Sequence, residues 1–159
     1  MNPREQGDLG ELSAMAWLAT QGAKVAIPVG HSPDWDVIAE MDGRILRVQV
    51  KTCTCWVRRR WSVSVCTRGG NQSWSGIVKR FDAARCDYLF ALVGDGRRWF
   101  IPSASLDGGT SIQLGGPKYS EFEVVRGDPI PGRTESRSNS RIEIPSSRGD
   151  VRAAKGDAL

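Results

Sequence analysis

Two extended runs, Trp35 to Met41 and Arg44 to Thr52, are joined by Asp42-Gly43, and no other feature restricts this chain so tightly. Both turn residues tolerate positive φ, which a two-residue hairpin turn demands at its two central positions. With Met41 facing Arg44, the pairing runs outward to Val37 opposite Val48 and Asp36 opposite Gln49. Successive side chains on a strand point to opposite faces. Trp35, Val37, Ala39, Leu46, Val48 and Val50 thus form an apolar face for a core, while Asp36, Ile38, Glu40, Arg47, Gln49 and Lys51 share the other.

The segments around the hairpin supply the rest of a small fold. From Asp8 to Gln21, Leu9, Leu12, Ala16 and Ala19 fall on one helical stripe with Met15 and Leu18 beside it, and Gly22 ends the pattern. Asp8 and Glu11 have the spacing of an N-cap and its reciprocal partner. Lys24 to Val29 reads as a first strand, with Pro28 marking a sheet edge. Trp61 to Val65 alternates as a further strand, and Tyr88 to Val93 is a continuous apolar run suited to a buried one. Gly94-Asp95-Gly96 turns that run into its hairpin partner, Arg98 to Pro102. Ile112 to Leu114 reads as a short edge strand, and Tyr119 to Val125 fits helix or strand equally. One helix, several strands, a second helical candidate and more strands predict an α/β fold with a mixed central sheet and flanking helices.

A chain of 159 residues holds one core of ordinary size. The reading is one domain over residues 1–126 and a mostly disordered tail over 127–159, where Gly, Pro, Ser and Arg crowd out large apolar residues. No run approaches a membrane span and no apolar secretory core follows the N-terminus, so a cytoplasmic protein with no membrane contact is expected. Cys53, Cys55, Cys66 and Cys86 lack metal-knuckle or redox spacing and read as reduced thiols.

The polar face of the hairpin suits a particular chemistry. Cutting a phosphodiester takes a divalent metal on hard oxygen ligands, an activated water and a cation to manage charge at phosphorus. Asp36, the side-chain carbonyl of Gln49 opposite it, and Lys51 two residues further on offer that set, and the Val50 backbone carbonyl lies between them. Each has a plainer reading: Glu11 as a helix cap, Lys51 as a solvated strand lysine, Asp36 and Gln49 as a cross-strand polar pair. Their conjunction is more specific than any member.

Pro33-Asp34-Trp35-Asp36 followed by Gln49-Val50-Lys51 resembles the core motif of the PD-(D/E)xK nuclease superfamily. Gly7-x-x-Gly10-Glu11 resembles the helical glutamate of its resolvase-like branch, and the resemblance extends over roughly residues 7 to 102, through Cys86-Asp87-Tyr88-Leu89 and Ile101-Pro102. It is most similar to group I intron-encoded homing endonucleases, in which a glutamine precedes x-Lys. The resemblance implies a restriction-endonuclease-like core and a magnesium-dependent, site-specific endonuclease of double-stranded DNA, with manganese as a substitute metal. Glu11, Asp36, Gln49 and Lys51 would be catalytic, and Glu11, Asp36, Gln49 and Val50 would hold the metal. Because Gln49 is neutral, Glu11 gains weight as the second carboxylate; of the two aspartates near Pro33, the register favours Asp36 over Asp34. A homo-oligomer, dimer or tetramer, is implied because cutting both strands takes two symmetry-related sites.

Positive charge is local. The chain carries only +4, yet residues 56–85 hold seven basic residues against the single acid Asp82. Arg58, Arg59, Arg60, Arg68, Lys79 and Arg80 are the candidate DNA contacts, with Trp56, Trp61 and Trp74 interleaved and Gly69-Gly70-Asn71-Gln72-Ser73 as a polar loop. Arg58 to Arg60 are expected to alternate along a strand. The tail holds six basic and five acidic residues, so its arginines are poor evidence for a DNA-binding arm. Two other readings stay open: a structure-selective, junction-resolvase-like nuclease, and a nucleic-acid-binding module without catalysis.

Overall fold

The structure is a computed structural model that describes residues 1–30, 34–68 and 78–131. One α-helix, α1 (Pro3–Thr20), precedes β1 (Lys24–Ala26), β2 (Val37–Met41), β3 (Arg44–Cys53), β4 (Trp56–Val57), β5 (Arg60–Ser64), β6 (Thr67–Arg68), β7 (Val78–Lys79), β8 (Tyr88–Val93), β9 (Arg98–Pro102), β10 (Ser111–Leu114) and β11 (Glu123–Val124). The central sheet has the order β1-β2-β3-β8-β9-β11. Its β3–β8 pair is parallel and its other pairs are antiparallel. A second sheet, β10-β5-β4, and the short β6-β7 ladder complete the described residues.

The Asp42-Gly43 hairpin has the register its turn dictates, from Met41↔Arg44 to Val37↔Val48. Two layers then cover the sheet. Val37, Ala39, Val48, Val50, Phe90 and Leu92 pack with Ala14 and Leu18 of α1. On the opposite face Cys53, Leu89, Ala91, Val93, Trp99 and Ile101 pack with Trp61, Val63, Ile112 and Leu114 of the second sheet. The flanking layer opposite α1 is thus built of strands, and Tyr119 to Val125 resolves into a 3₁₀ turn, Pro117–Phe122, followed by β11.

Three expectations change. The helix starts at Pro3, not near Asp8: Asn2 accepts from the Glu5 amide and Glu5 accepts from the Asn2 amide, a reciprocal cap with proline in the first turn. The buried stripe is Gly10, Ala14 and Leu18, while Leu12, Ala16 and Ala19 are exposed. Small residues win because they let the helix axis approach the sheet. Arg58 and Arg59 are not strand residues; they are the turn between β4 and β5, with φ of 50° and 63°.

The chain past residue 126 still packs at first: the amides of Gly127 and Ile130 donate to Gly96 and Gly94 carbonyls, and Ile130 is buried against the α1 face. The rest of the expected tail lies outside the described residues, as do the Gly69 to Ser73 loop and Trp74. Among the described residues, Cys53, Cys55, Cys66 and Cys86 form no disulfide. No described helix is long and apolar enough to cross a membrane.

Candidate active site

The site begins where β2 stops. Val37 is the last residue of β2 in register, opposite Val48, yet the Asp36 amide also donates to the Val48 carbonyl at 2.9 Å. Two successive residues therefore face one residue of β3, the arrangement of a β-bulge, which re-aims a side chain at the end of a ladder. Asp36 is turned toward β3, and its Oδ2 accepts from the Val50 backbone N–H at 2.7 Å. Backbone N–H groups of a strand lie in the sheet plane, pointing at the neighbouring strand. The Asp36 carboxylate therefore occupies the place that the next ladder carbonyl of β2 would have taken. The N–H and C=O of one strand residue point the same way, so the Val50 carbonyl faces the same side.

That position lets Asp36 meet groups from both faces. Lys51 projects from the face covered by the second sheet, and its charge acts on Asp36. Glu11 arrives from α1, which packs on the face of Val48 and Val50, and the charge of Asp36 acts on it in turn. Burial raises the Asp36 carboxyl above its ordinary value, against the opposing pull of the Val50 N–H and Lys51. Burial also raises Glu11, with Asp36 and then Asp8 adding to the effect. Gln49, 4% exposed, lies one strand position from Val50 on the Lys51 face. The structure thus brings Asp36, Glu11 and Lys51 into one electrostatic unit beside the Val50 carbonyl, with Gln49 buried next to it.

The placement of Glu11 depends on Gly10. A Cβ on Gly10 would stand 1.8 Å from Thr52 Oγ1 and 3.3 Å from Val50 Cγ1, so only glycine admits the helix this close to β3. Gln6 Nε2, one turn earlier, donates to the Thr52 carbonyl at 3.1 Å and pins the same contact. Glu11 is in the middle of α1, far from the Asn2 cap, so it has no capping role.

Asp34 is engaged elsewhere: its Oδ2 lies 2.9 Å from Arg85 Nε. The arginine clamps the chain leading into the bulge. Arg47 and Asp87 make a second clamp, in which Asp87 Oδ2 accepts from the Arg47 amide at 2.7 Å and the guanidinium meets both carboxylate oxygens. This fixes the β3–β8 register that supports Gln49 and Lys51.

A groove of about 350 Å³ runs from Lys51 along Thr52, Thr54, Ser62 and Ser64, with Gln6 at its helix side. Sequence reading did not find these hydroxyls, because nothing local tells that β5 folds back over β3. Of the candidate DNA contacts, Arg58, Arg59 and Arg80 are exposed and Arg60 is half-buried. Arg68 and Lys79 are described only by the pairing of β6 with β7, where Thr67 faces Lys79 and Arg68 faces Val78.

Two carboxylates, a backbone carbonyl, a buried amide and an ammonium gather where the hairpin ladder ends in a mixed sheet, a set of groups suited to phosphodiester hydrolysis. The chain matches the PD-(D/E)XK endonuclease family over residues 1–113, and it belongs to that family. It is an endonuclease. Its fold is similar to that of the bacterial homing endonuclease I-Ssp6803I, with a TM-score of 0.66 over 77% of this chain and 89% of that one at 18% identity. At that identity the likeness is one of fold. No curated protein matches the chain. The superfamily and the α/β class expected from the sequence are both borne out.

Proposed function

We propose that this endonuclease cuts double-stranded DNA at specific sites with magnesium, manganese serving as a substitute, and that it acts in the cytoplasm. The observation that carries the reading is the Asp36 carboxylate held on the Val50 amide at 2.7 Å, on the stretch of β3 that carries Lys51 and against which Gly10 seats the helix bearing Glu11. The donor set fits a hard divalent cation: two carboxylates, the Val50 carbonyl and the Gln49 side-chain oxygen. Two neighbouring carboxylates, both disfavoured as anions by burial, are what such a cation would relieve. When bound, the ion supplies Lewis-acid polarisation of the phosphate and acidifies a water.

The chain's own groups divide the remaining work. Asp36 is fixed by the Val50 amide, so it needs no reordering when the phosphate arrives. Glu11 accepts a proton from the attacking water or holds its hydrogen bond. Lys51 orients that water and stabilises charge on the pentacoordinate phosphorus. Arg58, Arg59, Arg60, Arg68, Lys79 and Arg80 hold the duplex, and two copies of the chain, as a dimer or tetramer, cut the two strands.

The test is cleavage of a plasmid library by the purified full chain with magnesium. Discrete fragments that vanish with chelator and with Lys51→Ala are expected. Full activity of Lys51→Ala overturns the reading. A panel of linear and four-way DNA separates it from the junction-selective alternative, which would cut the branched substrate irrespective of sequence.

A further inference from the structure

Two hairpins of this fold use the same two-residue turn with opposite chemistry. Asp42 and Gly43 turn β2 into β3 with φ of 50° and 74°. Arg58 and Arg59 turn β4 into β5 with φ of 50° and 63°. Aspartate and glycine are at ease there; a long side chain with its Cβ in the left-handed region is not. The second turn also sets two like charges side by side. Among the described residues neither guanidinium is engaged by an ion pair or hydrogen bond, and both side chains are exposed. Backbone strain kept at an exposed tip, where the Arg59 carbonyl accepts from the Arg60 guanidinium but the Arg58 and Arg59 side chains make no hydrogen bond or ion pair among the described residues, points outward to a ligand.

The surroundings say which ligand. Trp56 and Val57 flank the turn and are 45% and 46% exposed, although Trp56 is anchored edge-on against buried Trp61 at 4.7 Å. The β4–β5 turn is the corner of the β10-β5-β4 sheet, where β4 is a two-residue edge strand, and its apolar flank and two exposed guanidinium forks suit the major groove, which offers the O6 and N7 acceptors of guanine to arginine. This corner is also well placed. It grows directly out of the catalytic strand, and Ser62 and Ser64 of β5 line the groove that starts at Lys51. We propose that the β4–β5 turn reads guanine in the major groove beside the scissile bond, with Arg58 and Arg59 as specificity-determining residues. This rests on the reading of the chain as a nuclease of duplex DNA.

The chain sets a distance limit. Seven residues from Lys51 to Arg58 span at most about 23 Å at ~3.3 Å each. With the reach of an arginine side chain, the bases read lie within about one helical turn of the cut, since a turn is roughly 34–36 Å.

The experiment uses the full chain carrying Lys51→Ala, so that DNA is bound and not cut, to select duplexes from a randomised pool for sequencing. It compares that parent with the same chain carrying Arg58→Asn and Arg59→Gly, which gives the turn residues suited to its geometry, and with Arg58→Lys, which keeps the charge but loses the fork. The parent should enrich guanines within one turn of the position where wild-type protein cuts. Both variants should lose that preference by about tenfold or more at the guanine positions. The Asn-Gly variant should also melt higher than the parent. An unchanged motif overturns the proposal, and so does a uniform loss of affinity across all sequences, which would mark phosphate contacts. A parent that enriches no motif while wild-type protein still cuts duplex DNA overturns it too. Failure of wild-type protein to cut any duplex would instead bring down the nuclease reading beneath it.

Discussion

The Asp36 carboxylate accepts the Val50 backbone N–H at 2.7 Å, so one side chain completes the hydrogen bonding of β3 and faces the site. Its two duties separate by substitution. Asp36→Asn keeps an oxygen for the Val50 amide and removes the charge. Its fold should be retained and its cleavage should fall by about a hundredfold or more, since the proposed cation would lose a charged ligand and with it several kcal/mol of transition-state charge stabilisation. Asp36→Ala should lose activity equally and unfold more easily, by about 1–3 kcal/mol, because the Val50 N–H loses its partner. Urea unfolding beside a cleavage time course checks both; equal stability of the two variants would contradict the double role.

The contact of Gly10 with Thr52 predicts a coupled pair. Gly10→Ala puts a methyl 1.8 Å from Thr52 Oγ1, which the flexible end of a side chain cannot fully evade because Val50 Cγ1 is also close, at 3.3 Å. Overpacking of this kind costs about 1–3 kcal/mol. It also pushes Glu11 off the site, so activity should drop with stability. Thr52 Oγ1 is buried without a hydrogen-bond partner among the described residues, so its removal sacrifices little. Thr52→Ala in the Gly10→Ala background should recover most of both losses. A double-mutant cycle with additive effects would contradict direct contact.

The two raised carboxyls predict opposite pH behaviour with and without metal. A group whose folded pKa lies above its unfolded value stabilises the fold while protonated, and that contribution is lost as pH rises through the folded value. Glu11 and Asp36 are both of this kind, so at neutral pH they oppose the metal-free fold. Glu11→Gln and Asp36→Asn should therefore stabilise metal-free protein at pH 7, more at the buried Asp36 than at Glu11, whose greater exposure lets solvent screen the effect. The gain should shrink as pH falls and wild-type carboxyls protonate. The proposed magnesium site needs both groups ionised, so its affinity should weaken with falling pH starting above 4.5, the ordinary value for glutamate. Calorimetric titration across pH measures this; an affinity flat down to that pH would contradict it.

Local chemistry wrote what the sequence made legible. Asp42-Gly43 names its own turn, and alternation then sorts Val48 and Val50 from Gln49 and Lys51 without reference to the rest of the chain. The helix start was legible but misjudged: Asn2-Pro3-x-Glu5 carries a stronger cap than Asp8 and Glu11 do. Other features depend on tertiary contact. The bulge at Asp36 arises where the β2–β3 ladder ends while β3 runs on to Cys53, and ladder extrapolation sets Asp36 squarely opposite Gln49 instead of turning it to the Val50 amide. That β5 leaves the central sheet to cover its other face has no local signal either, so Trp61 reads as a strand residue of unknown sheet. The strained Arg58-Arg59 turn runs against turn propensity, and a reading built on propensity makes it a strand.

Arg47 and Asp87 predict where acid first loosens the site. Asp87 is held below its ordinary value, chiefly by the Arg47 guanidinium and also by the Arg47 amide. A depressed carboxyl contributes stability above its unfolded pKa, and the contribution is lost as pH falls through the folded value. The pair is about one-third exposed, so solvent screens it and the contribution is modest. Asp87→Asn should cost about 1 kcal/mol at pH 7, where the ion pair and its charge-assisted hydrogen bonds to the guanidinium are lost while the remaining amide oxygen can still accept from the Arg47 amide. The difference from wild type should close below pH 3.8, the ordinary aspartate value, as the wild-type carboxyl protonates. Because the clamp ties β3 to β8 directly behind Gln49 and Lys51, the variant should also cleave more slowly at pH 7 while binding DNA normally. Urea midpoints at pH 7 and pH 3, set beside single-turnover rates, measure both effects. A variant with an undiminished midpoint at pH 7 would show that the parallel register holds without the clamp.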